Sequence, residues 1–574
     1  MLNGDLIREK GNFQIVLFFL LVFLSIVPNA VFFFTEQFSL LTGFASVLLP
    51  LSIWMCVFLC FPKPGVMVLI LLPKLILDGG QLVLLYLFGE SVIAVDMFLN
   101  LTSSNASEAS ELLSNILLVI GCVFFFYLLP TLILAFRSVR HKEQLSIFFR
   151  KKWRKRSLVL FLIGVLLSIV SILSGSSFSI KKDVYPANAL YNLYFAIWKS
   201  GKNTNYKKTS ADFSFHSVKK KQVKGRREVY VLVVGETGRA MEWGLYGYER
   251  ETTPNLQKRS NIVYYKDAIT QSNNTHKSVP IILSAASAEN YGIIYEQKSI
   301  VTAFKEAGFR TVVIANQKLT TSMIGCFYRE ADQFIDMSCF NTTSSLKSLP
   351  DGALLPYLKE ELERSDENLF IVLHTYGSHF NYHERYPKDF SIFIPDKVDG
   401  IRLSLKNKLR NAYDNTICYT DYVLNEIIKL LDQSNTCAVL TYLSDHGEDI
   451  FDDNRHRYLH ASPIPTYYQL HIPYVFWFSD NYIAYYPDKY EEVRRHASLP
   501  VSTNSVFHTM LDIADIDADA LDLHYSLASD VFKVRDRMYL GDHDDPIPFW
   551  QIGLKKQDFE MLDKWKIVYD KDGF

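Results

Sequence analysis

The chain has 574 residues, with 60 Lys and Arg against 61 Asp and Glu, and its formal net charge is −1. This balance gives no support to a nucleic-acid-binding protein, and the 41 Phe and 33 Tyr exclude a disordered chain. Hydrophobic residues make up 49% of a chain that is also 21% charged, which indicates one very apolar part joined to an ordinary globular part.

Long apolar runs occupy the N-terminal part of the chain. Each run is close to the ~20 residues that a helix needs to cross the hydrocarbon core of a bilayer. The first run has no small-residue cleavage site and others follow it, so we predict membrane spans rather than a signal peptide. The five runs are Phe13–Phe34, Phe38–Phe61, Gly65–Phe88, Leu112–Phe136 and Ser157–Leu173.

Nine cations between Arg137 and Arg156 predict that the loop between the fourth and fifth runs is cytoplasmic. Five crossings then place everything after about Ser174 outside the cytoplasm, with residues 1–176 as the membrane domain. In the third run, Lys74 and Asp78 stand one helical turn apart. Charges at that depth indicate a functional path, with the alternative that the two side chains neutralise each other or extend toward the membrane surface.

The next segment, residues 177–227, is expected to be an interfacial helix followed by a linker. Asn188–Trp198 is too short to span, and its Leu, Tyr, Phe and Trp content fits a helix lying at the membrane surface, with core packing as the alternative. The polar, basic stretch Lys202–Arg227 is typical of a linker and also suits contact with anionic headgroups.

From Glu228 onward, short apolar runs alternate with helical segments. Near-continuous apolar runs predict strands buried on both faces, as in a parallel sheet covered by helices. Ser299–Ala307 and Leu403–Asp432 are expected to be helices between them. The alternation over residues 228–574 indicates one α/β domain, with functional residues where strands end. The predicted strands are Val229–Val234, Thr311–Ala315, Leu369–His374 and Ala438–Leu443.

Metal-binding side chains follow these strands. Glu236 follows the first strand, His379 the third, and Asp445 and His446 the fourth, with His460 a little further on. Taken singly, each has an ordinary structural role, such as a carboxylate at a helix start for Glu236 or a hydrogen-bonded loop histidine for His379. Together, His and carboxylate without thiolate predict a catalytic Zn²⁺ site.

Thr275 is the candidate nucleophile. Pro280 suits only the first turn of a helix, so the helix is expected to begin around His276–Ser278, with Thr275 just upstream. Free amide groups and the helix dipole attract a phosphate there. Because a threonine hydroxyl is inert unless a base or metal lowers its pKa, we predict metal activation, with an ordinary N-cap as the alternative.

These residues lie in motifs that resemble those of the phosphoethanolamine transferases of the alkaline phosphatase superfamily, along nearly the whole chain. The resemblance implies an N-terminal five-helix transmembrane bundle and a C-terminal sulfatase-like α/β/α sandwich, multi-pass in a bacterial inner membrane with the catalytic domain in the periplasm. The motifs are VVGETGRAMEWGLYGYERETTPNL (Val233–Leu256), Asn274-Thr275 with Ser278-Val279-Pro280, HTYGSHFNYHERYP (His374–Pro387), YDNTICYTDYVL (Tyr413–Leu424), SDHGE (Ser444–Glu448) and YLH (Tyr458–His460).

The resemblance also implies a role for each site residue. Thr275 would be the nucleophile, and one tightly bound zinc would be held by it with Glu236, Asp445 and His446. His379 and His460 would bind the transferred phosphate or a second zinc and assist the leaving or attacking oxygen. Weaker candidates for the substrate side are Asn274, Tyr413, Asp414 and Asn415.

The implied reaction moves phosphoethanolamine from phosphatidylethanolamine, through a covalent Thr275 ester, to a cell-envelope glycan. The lipid A-modifying branch has a cysteine near its nucleophile, whereas the residues before Thr275 include none. This difference favours a lipopolysaccharide core sugar or another periplasmic glycan as acceptor. The outer domain has few cysteines, of which Cys326 and Cys339 are candidates to pair and Cys418 is a candidate for plain core.

Other functions remain open. A lipid A transferase or a glycerophosphate transferase would share the anchor, the threonine and the metal. A transporter or receptor would leave the threonine and metal residues unexplained. A sulfatase would need a Cys/Ser-x-Pro-x-Arg run, which does not occur in the chain.

Overall fold

The computed structural model describes residues 13–36, 38–103, 116–175, 178–317, 322–340, 349–364 and 366–569. The chain divides into two units, one of Met1–Phe98 with Leu112–Ala196 and the other of Leu99–Glu111 with Ile197–Phe574. The boundary falls inside one helix, Ala187–Thr209. The functional boundaries after residues 176 and 227 stay predictions.

The first unit is built from apolar helices. Among the described residues, four are long and apolar enough to cross a membrane: Phe13–Thr35, Leu40–Phe58, Ile116–Arg140 and Ile147–Leu173. The predicted third span is instead two helices, Gly65–Ile70 and Leu72–Phe88. Pro73 in the first turn of the second helix cannot donate an amide hydrogen to the preceding turn, so the helix restarts there. The count of five spans is therefore not confirmed.

Lys74 and Asp78 do face each other, with 2.7 Å between Lys74 Nζ and Asp78 Oδ2. Tyr127 and Tyr185 also donate hydrogen bonds of 2.9 Å to the Asp78 carboxylate. The buried charge is thus paired and hydrogen-bonded, which favours the self-neutralising alternative and ties distant segments of this unit together.

The predicted interfacial segment is part of a longer helix. Asn188–Trp198 lies inside Ala187–Thr209, and the large apolar side chains Leu190, Tyr194 and Ile197 are exposed along it. The first part of the predicted linker, up to Thr209, is therefore helical. In the second unit this helix donates from Lys199 Nζ to Asp544 Oδ1 at 2.5 Å. The other helices of this region are Val95–Ser103 and Ile180–Asp183.

A seven-stranded sheet forms the centre of the second unit. Its strands are β1 Glu228–Gly235, β2 Ile262–Tyr264, β3 Arg310–Ala315, β4 Gln333–Asp336, β5 Leu369–His374, β6 Cys437–Ser444 and β7 Tyr474–Phe478. The spatial order is β2-β7-β6-β1-β5-β3-β4. The strands from β6 to β4 run parallel, whereas β7 is antiparallel to both β6 and β2.

The four predicted strands match the observed ones to within one residue at each end. Every residue of β1, β5 and β6 is buried, as expected for strands covered on both faces. The antiparallel edge formed by β7 and β2 was not predicted. Because β1, β3, β5 and β6 are parallel, their carboxyl ends lie along one edge of the sheet, and the loops that follow them meet there.

Helices surround this sheet, and the longest, Lys406–Gln433, is mostly buried. The others are Pro254–Gln257, Thr275–Ile282, Ile300–Glu306, Met323–Tyr328, Leu355–Arg364, Tyr467–Leu470, Asp480–Tyr485, Pro487–Arg495, Ser505–Ile513 and Lys556–Lys564. Short two-stranded pairs complete the unit: Val218–Lys219 with Ile516–Asp517, Ala268–Ile269 with Val501–Ser502, Asp449–Ile450 with Tyr458–Leu459, and Met538–Leu540 with Pro546–Pro548.

Candidate metal and nucleophile site

The register of two neighbouring strands brings Glu236 and Asp445 together. β1 and β6 are parallel, and their last residues, Gly235 and Ser444, are opposite each other. The next residues, Glu236 and Asp445, therefore leave the sheet side by side. The Thr237 amide then donates to Asp445 Oδ1 at 3.0 Å, which holds the two loops in contact.

Two glycines let the neighbouring loops approach closely. Gly377 has φ +52°, and a Cβ there would lie 2.6 Å from the Glu236 carbonyl oxygen. A Cβ on Gly447 would lie 2.2 Å from the Tyr468 carbonyl oxygen. Because any larger residue would collide with backbone, the Gly-Ser-His and Asp-His-Gly motifs need glycine at these points.

Thr275 is the first residue of the helix Thr275–Ile282, so the predicted start at His276–Ser278 is slightly late. Asn274 is the N-cap, and its side-chain oxygen accepts from the His276 amide at 2.9 Å. The N-cap alternative for Thr275 is therefore wrong. Pro280 lies in the second turn rather than the first, and the His276 carbonyl that it leaves free accepts from Tyr291 Oη at 3.4 Å.

The threonine hydroxyl lies among the predicted metal ligands. Thr275 Oγ1 is 3.3 and 3.4 Å from the two carboxylate oxygens of Glu236 and 3.1 Å from His446 Nε2. His446 Nε2 is 3.5 Å from Glu236 Oε1 and 3.3 Å from Asp445 Oδ2. Four residues predicted from three separate stretches of the sequence thus meet around one point.

The donor set fits a cation. His446 Nδ1 lies 2.9 Å from the Gly447 carbonyl oxygen, so Nδ1 carries the hydrogen and the Nε2 lone pair faces the carboxylates. Asp445 Oδ2 is buried and, in the part of the chain described here, accepts no hydrogen bond. Converging lone pairs in a buried site are unfavourable unless a positive charge lies between them. Mixed nitrogen and oxygen donors are those Zn²⁺ accepts.

The pKa values of the site histidines reflect their burial and the charges around them. Burial alone would lower the pKa of His446. The negative charges of Asp445 and Glu236 raise it by more, so the pKa lies above its usual value. Burial, and then the neighbouring His446 charge, lowers the pKa of His460 to about 3. Burial, and then Arg385 and His460, holds the pKa of His379 well below its usual range. His379 and His460 are therefore neutral near pH 7.

His460 and His379 stand beside the group. The His460 ring is 4.2 Å from that of His446 and 6.1 Å from that of His379, measured between centroids. Ligand atoms of Glu236, His446 and His460 all lie within 4.8 Å of one another. Their arrangement allows His460 either to join a metal or to contact a bound phosphate.

Glu448, in the same SDHGE motif, contacts His460 at the Nδ1 side of its ring. Its Oε1 lies 3.1 Å from His460 Nδ1, and its Oε2 accepts from Tyr382 Oη at 2.7 Å. Without a cation, burial raises the pKa of Glu448 to about 8, and a metal ion bound beside His460 would lower it again and keep the carboxylate ionised. Glu448 is fully buried, so it orients the imidazole without facing solvent.

Two further supporting residues were not predicted from the sequence. Gln317 Nε2 donates to Glu236 Oε2 at 2.8 Å, and Gln317 follows β3, so the strand-end rule itself could have found it. Buried Asp351 accepts from the Tyr376 and Gly377 amides at 2.7 and 2.9 Å and holds the loop that carries His379. No local pattern in the sequence marks Asp351.

The weaker candidates on the helix Lys406–Gln433 bind loops rather than the metal group. Tyr413 Oη donates to the Thr237 carbonyl oxygen at 2.7 Å. Asp414 accepts from Arg250 at 2.8 Å, and Asn415 accepts from the Phe393 amide at 2.8 Å. Their roles toward a substrate, and that of Asn274, stay predictions.

Of the cysteines, Cys418 is buried on the helix Lys406–Gln433, in agreement with plain core. The side chain of Cys339 lies outside the described residues, so its pairing with Cys326 stays a prediction.

Known proteins are similar in sequence to this chain. The sequence profile of the Sulfatase family matches residues 228–516. Phosphoethanolamine transferase EptC of Escherichia coli (strain K12) is 30% identical over 318 residues, 53% of each chain. The chain thus spans about half the length of this curated relative.

Two solved structures match as well. The zinc complex of the C-terminal periplasmic domain of EptC from Escherichia coli has a TM-score of 0.53 and 27% identity, covering 58% of this chain and 95% of that one. The integral membrane lipooligosaccharide phosphoethanolamine transferase A from Neisseria meningitidis has a TM-score of 0.71 and 24% identity, covering 90% and 98%.

The second match shows the fold along most of the chain: N-terminal membrane helices and a C-terminal α/β domain like that of alkaline phosphatase. The resemblance to phosphoethanolamine transferases is confirmed by the relatives. Because the family profile covers half of the chain, the protein belongs to the sulfatase family, and the relatives it resembles there are phosphoethanolamine transferases.

Proposed function

We propose that this protein is a zinc-dependent phosphoethanolamine transferase in which Thr275 is the nucleophile. The observation that carries the proposal is the position of Thr275 Oγ1, 3.1 Å from His446 Nε2 and 3.3 Å from a Glu236 oxygen. A hydroxyl placed among lone-pair donors is the arrangement that a metal-activated nucleophile needs. The relatives are phosphoethanolamine transferases, which supports phosphoethanolamine as the transferred group.

In the first step, Thr275 Oγ1 attacks the phosphorus of phosphatidylethanolamine. The bond from Oγ1 to phosphorus forms, the bond to the diacylglycerol oxygen breaks, and phosphoethanolamine remains as an ester on Thr275. A zinc ion held by Glu236, Asp445, His446 and Thr275 would lower the pKa of the hydroxyl and offset the charge of the phosphoryl oxygens. Asn274 caps the helix start, so the Thr275 backbone is already placed for attack.

His379 and His460 supply proton transfer in this proposal. Both are neutral in the resting site because burial lowers their pKa. An anionic phosphoryl oxygen beside them would raise the pKa of each imidazole again. One of them takes the proton that Thr275 Oγ1 loses and gives it to the departing diacylglycerol oxygen. In the second step it takes the proton of the acceptor hydroxyl, whose oxygen displaces Thr275 Oγ1 from phosphorus.

The donor and acceptor follow from the motifs and the relatives. The proposed donor is phosphatidylethanolamine of the bacterial inner membrane, and the proposed acceptor is a lipopolysaccharide core sugar or another periplasmic glycan. The Neisseria meningitidis protein is named a lipooligosaccharide phosphoethanolamine transferase, which supports a glycolipid acceptor. The membrane helices would keep the periplasmic site near its lipid donor. One zinc is proposed, with His379 and His460 available for a second.

Headgroup-labelled lipids test this function. The full chain is incubated with labelled phosphatidylethanolamine or phosphatidylglycerol, and the label on Thr275 is read by peptide mass spectrometry. We expect label from phosphatidylethanolamine on the wild-type chain and none on Thr275→Ala, with zinc content unchanged. Thr275→Ser keeps a hydroxyl and is the matched control, expected to retain slow labelling.

An active Thr275→Ala chain, or label arriving from phosphatidylglycerol, would refute the proposal. The acceptor is identified separately, by mass spectrometry of lipopolysaccharide core, lipid A and periplasmic glycans from cells with and without the protein. Phosphoethanolamine on lipid A alone would move the acceptor to the lipid A branch.

A further inference from the structure

A basic cavity lies at the end of the membrane helix Ile116–Arg140, within the first unit and far in sequence from the metal residues. Its volume is about 590 Å³. It is lined by Phe13, Ile133, Phe136, Arg137, Arg140 and His141. None of these residues takes part in the proposed reaction.

The lining changes from apolar to cationic along the helix axis. Ile133 and Phe136 are about half exposed, and Arg137 and Arg140 follow them as exposed cations. Positions 133, 137 and 140 fall on one helix face. At 1.5 Å per residue, this face runs from an apolar surface to a cationic one over about 10 Å. A membrane lipid has the same order, with acyl chains toward the bilayer centre and phosphate at the surface.

A buried polar contact joins the two helices beside the cavity. Ser138 Oγ donates to Gln14 Oε1 at 2.7 Å, and Gln14 Nε2 donates to the Ser138 carbonyl oxygen at 2.8 Å. Both side chains are fully buried, and the contact fixes the helix Phe13–Thr35 against the end of the helix Ile116–Arg140. The Phe13 and His141 rings pack 4.5 Å apart beside it. The cavity is therefore part of the fold.

Among the described residues, the positive charge of the two cavity arginines is not balanced by a carboxylate. The acid beside it, Glu143, accepts from the Phe13 amide at 2.9 Å and lies 4.0 Å from His141 Nδ1. Within the residues the structure describes, neither Arg137 nor Arg140 has a carboxylate in ion-pair distance. Two guanidinium groups at a membrane surface thus offer their donors to an outside anion.

We propose that this cavity binds one anionic glycerophospholipid, with its phosphate on Arg137 and Arg140 and its acyl chains along Ile133 and Phe136. Guanidinium groups bind phosphate through paired N–H donors, and basic pockets between membrane helices suit anionic headgroups. The cation-rich loop that follows the helix assigns the lipid to the cytoplasmic leaflet.

Native mass spectrometry of the full chain in a neutral detergent tests the proposal. The chain is titrated with phosphatidylglycerol or phosphatidylethanolamine, and bound lipid is counted. The variant Arg137→Gln/Arg140→Gln is compared with Lys151→Gln/Lys155→Gln, which removes the same two charges from exposed lysines on the next helix. We expect one tightly bound phosphatidylglycerol, with affinity about 10- to 30-fold weaker in the arginine variant only.

Thermal unfolding of both variants shows whether each is folded, and a conservative Arg137→Lys/Arg140→Lys chain should recover part of the affinity. Equal losses in the arginine and lysine variants would mean general surface charge and would overturn the proposal. So would an arginine variant that loses phosphatidylethanolamine binding by as much as it loses phosphatidylglycerol binding, because phosphatidylethanolamine bound at the transfer site does not depend on these arginines.

Discussion

Replacing Glu448 by Gln tests whether this buried carboxylate acts through His460. Glu448 has one oxygen 3.1 Å from His460 Nδ1 and accepts from Tyr382 Oη with the other. A glutamine of the same shape has only one acceptor oxygen. Either the Tyr382 contact is lost, or an NH₂ group faces Nδ1 and forces the hydrogen of His460 onto Nε2, the nitrogen on the metal side.

The size of the effect follows from the position of Glu448. It contacts a residue whose ligand atom lies within 4.8 Å of those of Glu236 and His446. Residues that orient such ligands typically contribute 10- to 100-fold to metal affinity or rate, or about 1.4 to 2.7 kcal/mol. We expect losses of that size in both zinc affinity and single-turnover labelling of Thr275.

A double-mutant cycle separates positioning from general damage. Zinc affinity and the labelling rate are measured for Glu448→Gln, His460→Gln and the double variant, with Glu360→Gln on an exposed helix surface as the control. If Glu448 acts through His460, the double variant resembles His460→Gln alone. A full additional loss from Glu448→Gln in the His460→Gln chain would refute this reasoning, as would an unaffected single variant.

Three further predictions concern the surrounding structure. Gly447→Ala should destabilise the second unit by about 1 to 3 kcal/mol and weaken zinc binding, because the new Cβ would lie 2.2 Å from a carbonyl oxygen. Gly292→Ala, where a Cβ meets nothing within 4 Å, is the control. Equal melting temperatures of the two variants would contradict the prediction. Gln317→Ala removes the 2.8 Å hydrogen bond to Glu236 and should weaken zinc affinity about tenfold in a competition titration, while unchanged affinity would show that Glu236 needs no such support. Burial, and then the nearby Glu242 charge, raises the pKa of Asp414 to about 7. Above about pH 4 the folded state therefore holds a proton on Asp414 that the unfolded state has lost. The free energy of unfolding consequently falls as pH rises from 4 toward 7. The melting temperature of Asp414→Asn should therefore rise relative to wild type between pH 4 and 7; a constant difference would contradict the raised pKa.

Composition alone marks the elements that are buried along their whole length. β1, β5 and β6 need apolar residues at every position, so each is visible as an apolar run and its ends are found to within one residue. The membrane helices are visible as apolar runs for another reason, because a helix that crosses a bilayer is apolar on its lipid-facing side as well. The third run shows the limit of hydropathy, because its mean is high while Pro73 divides it into two helices.

Part of the site was also accessible from local signals. Glu236, Asp445 and His446 are predicted as strand-end metal ligands, and the structure brings Glu236 and His446 to within 3.3 and 3.1 Å of Thr275 Oγ1, with Asp445 beside His446. Gln317 obeys the same strand-end rule, but an amide is not a usual metal ligand and did not stand out.

The sequence by itself determined which segments are apolar strands and membrane helices, and which residue types stand at the strand ends. Only the tertiary structure decided that Gly235 pairs with Ser444, that His446 turns its Nε2 to the carboxylates, and that Asp414 binds Arg250. The physical reason is the separation along the chain of the residues involved. Whether a segment is apolar enough to be buried can be judged from a short stretch of sequence. Contacts between residues hundreds of positions apart depend on strand order, register and rotamers, which follow from packing the whole domain.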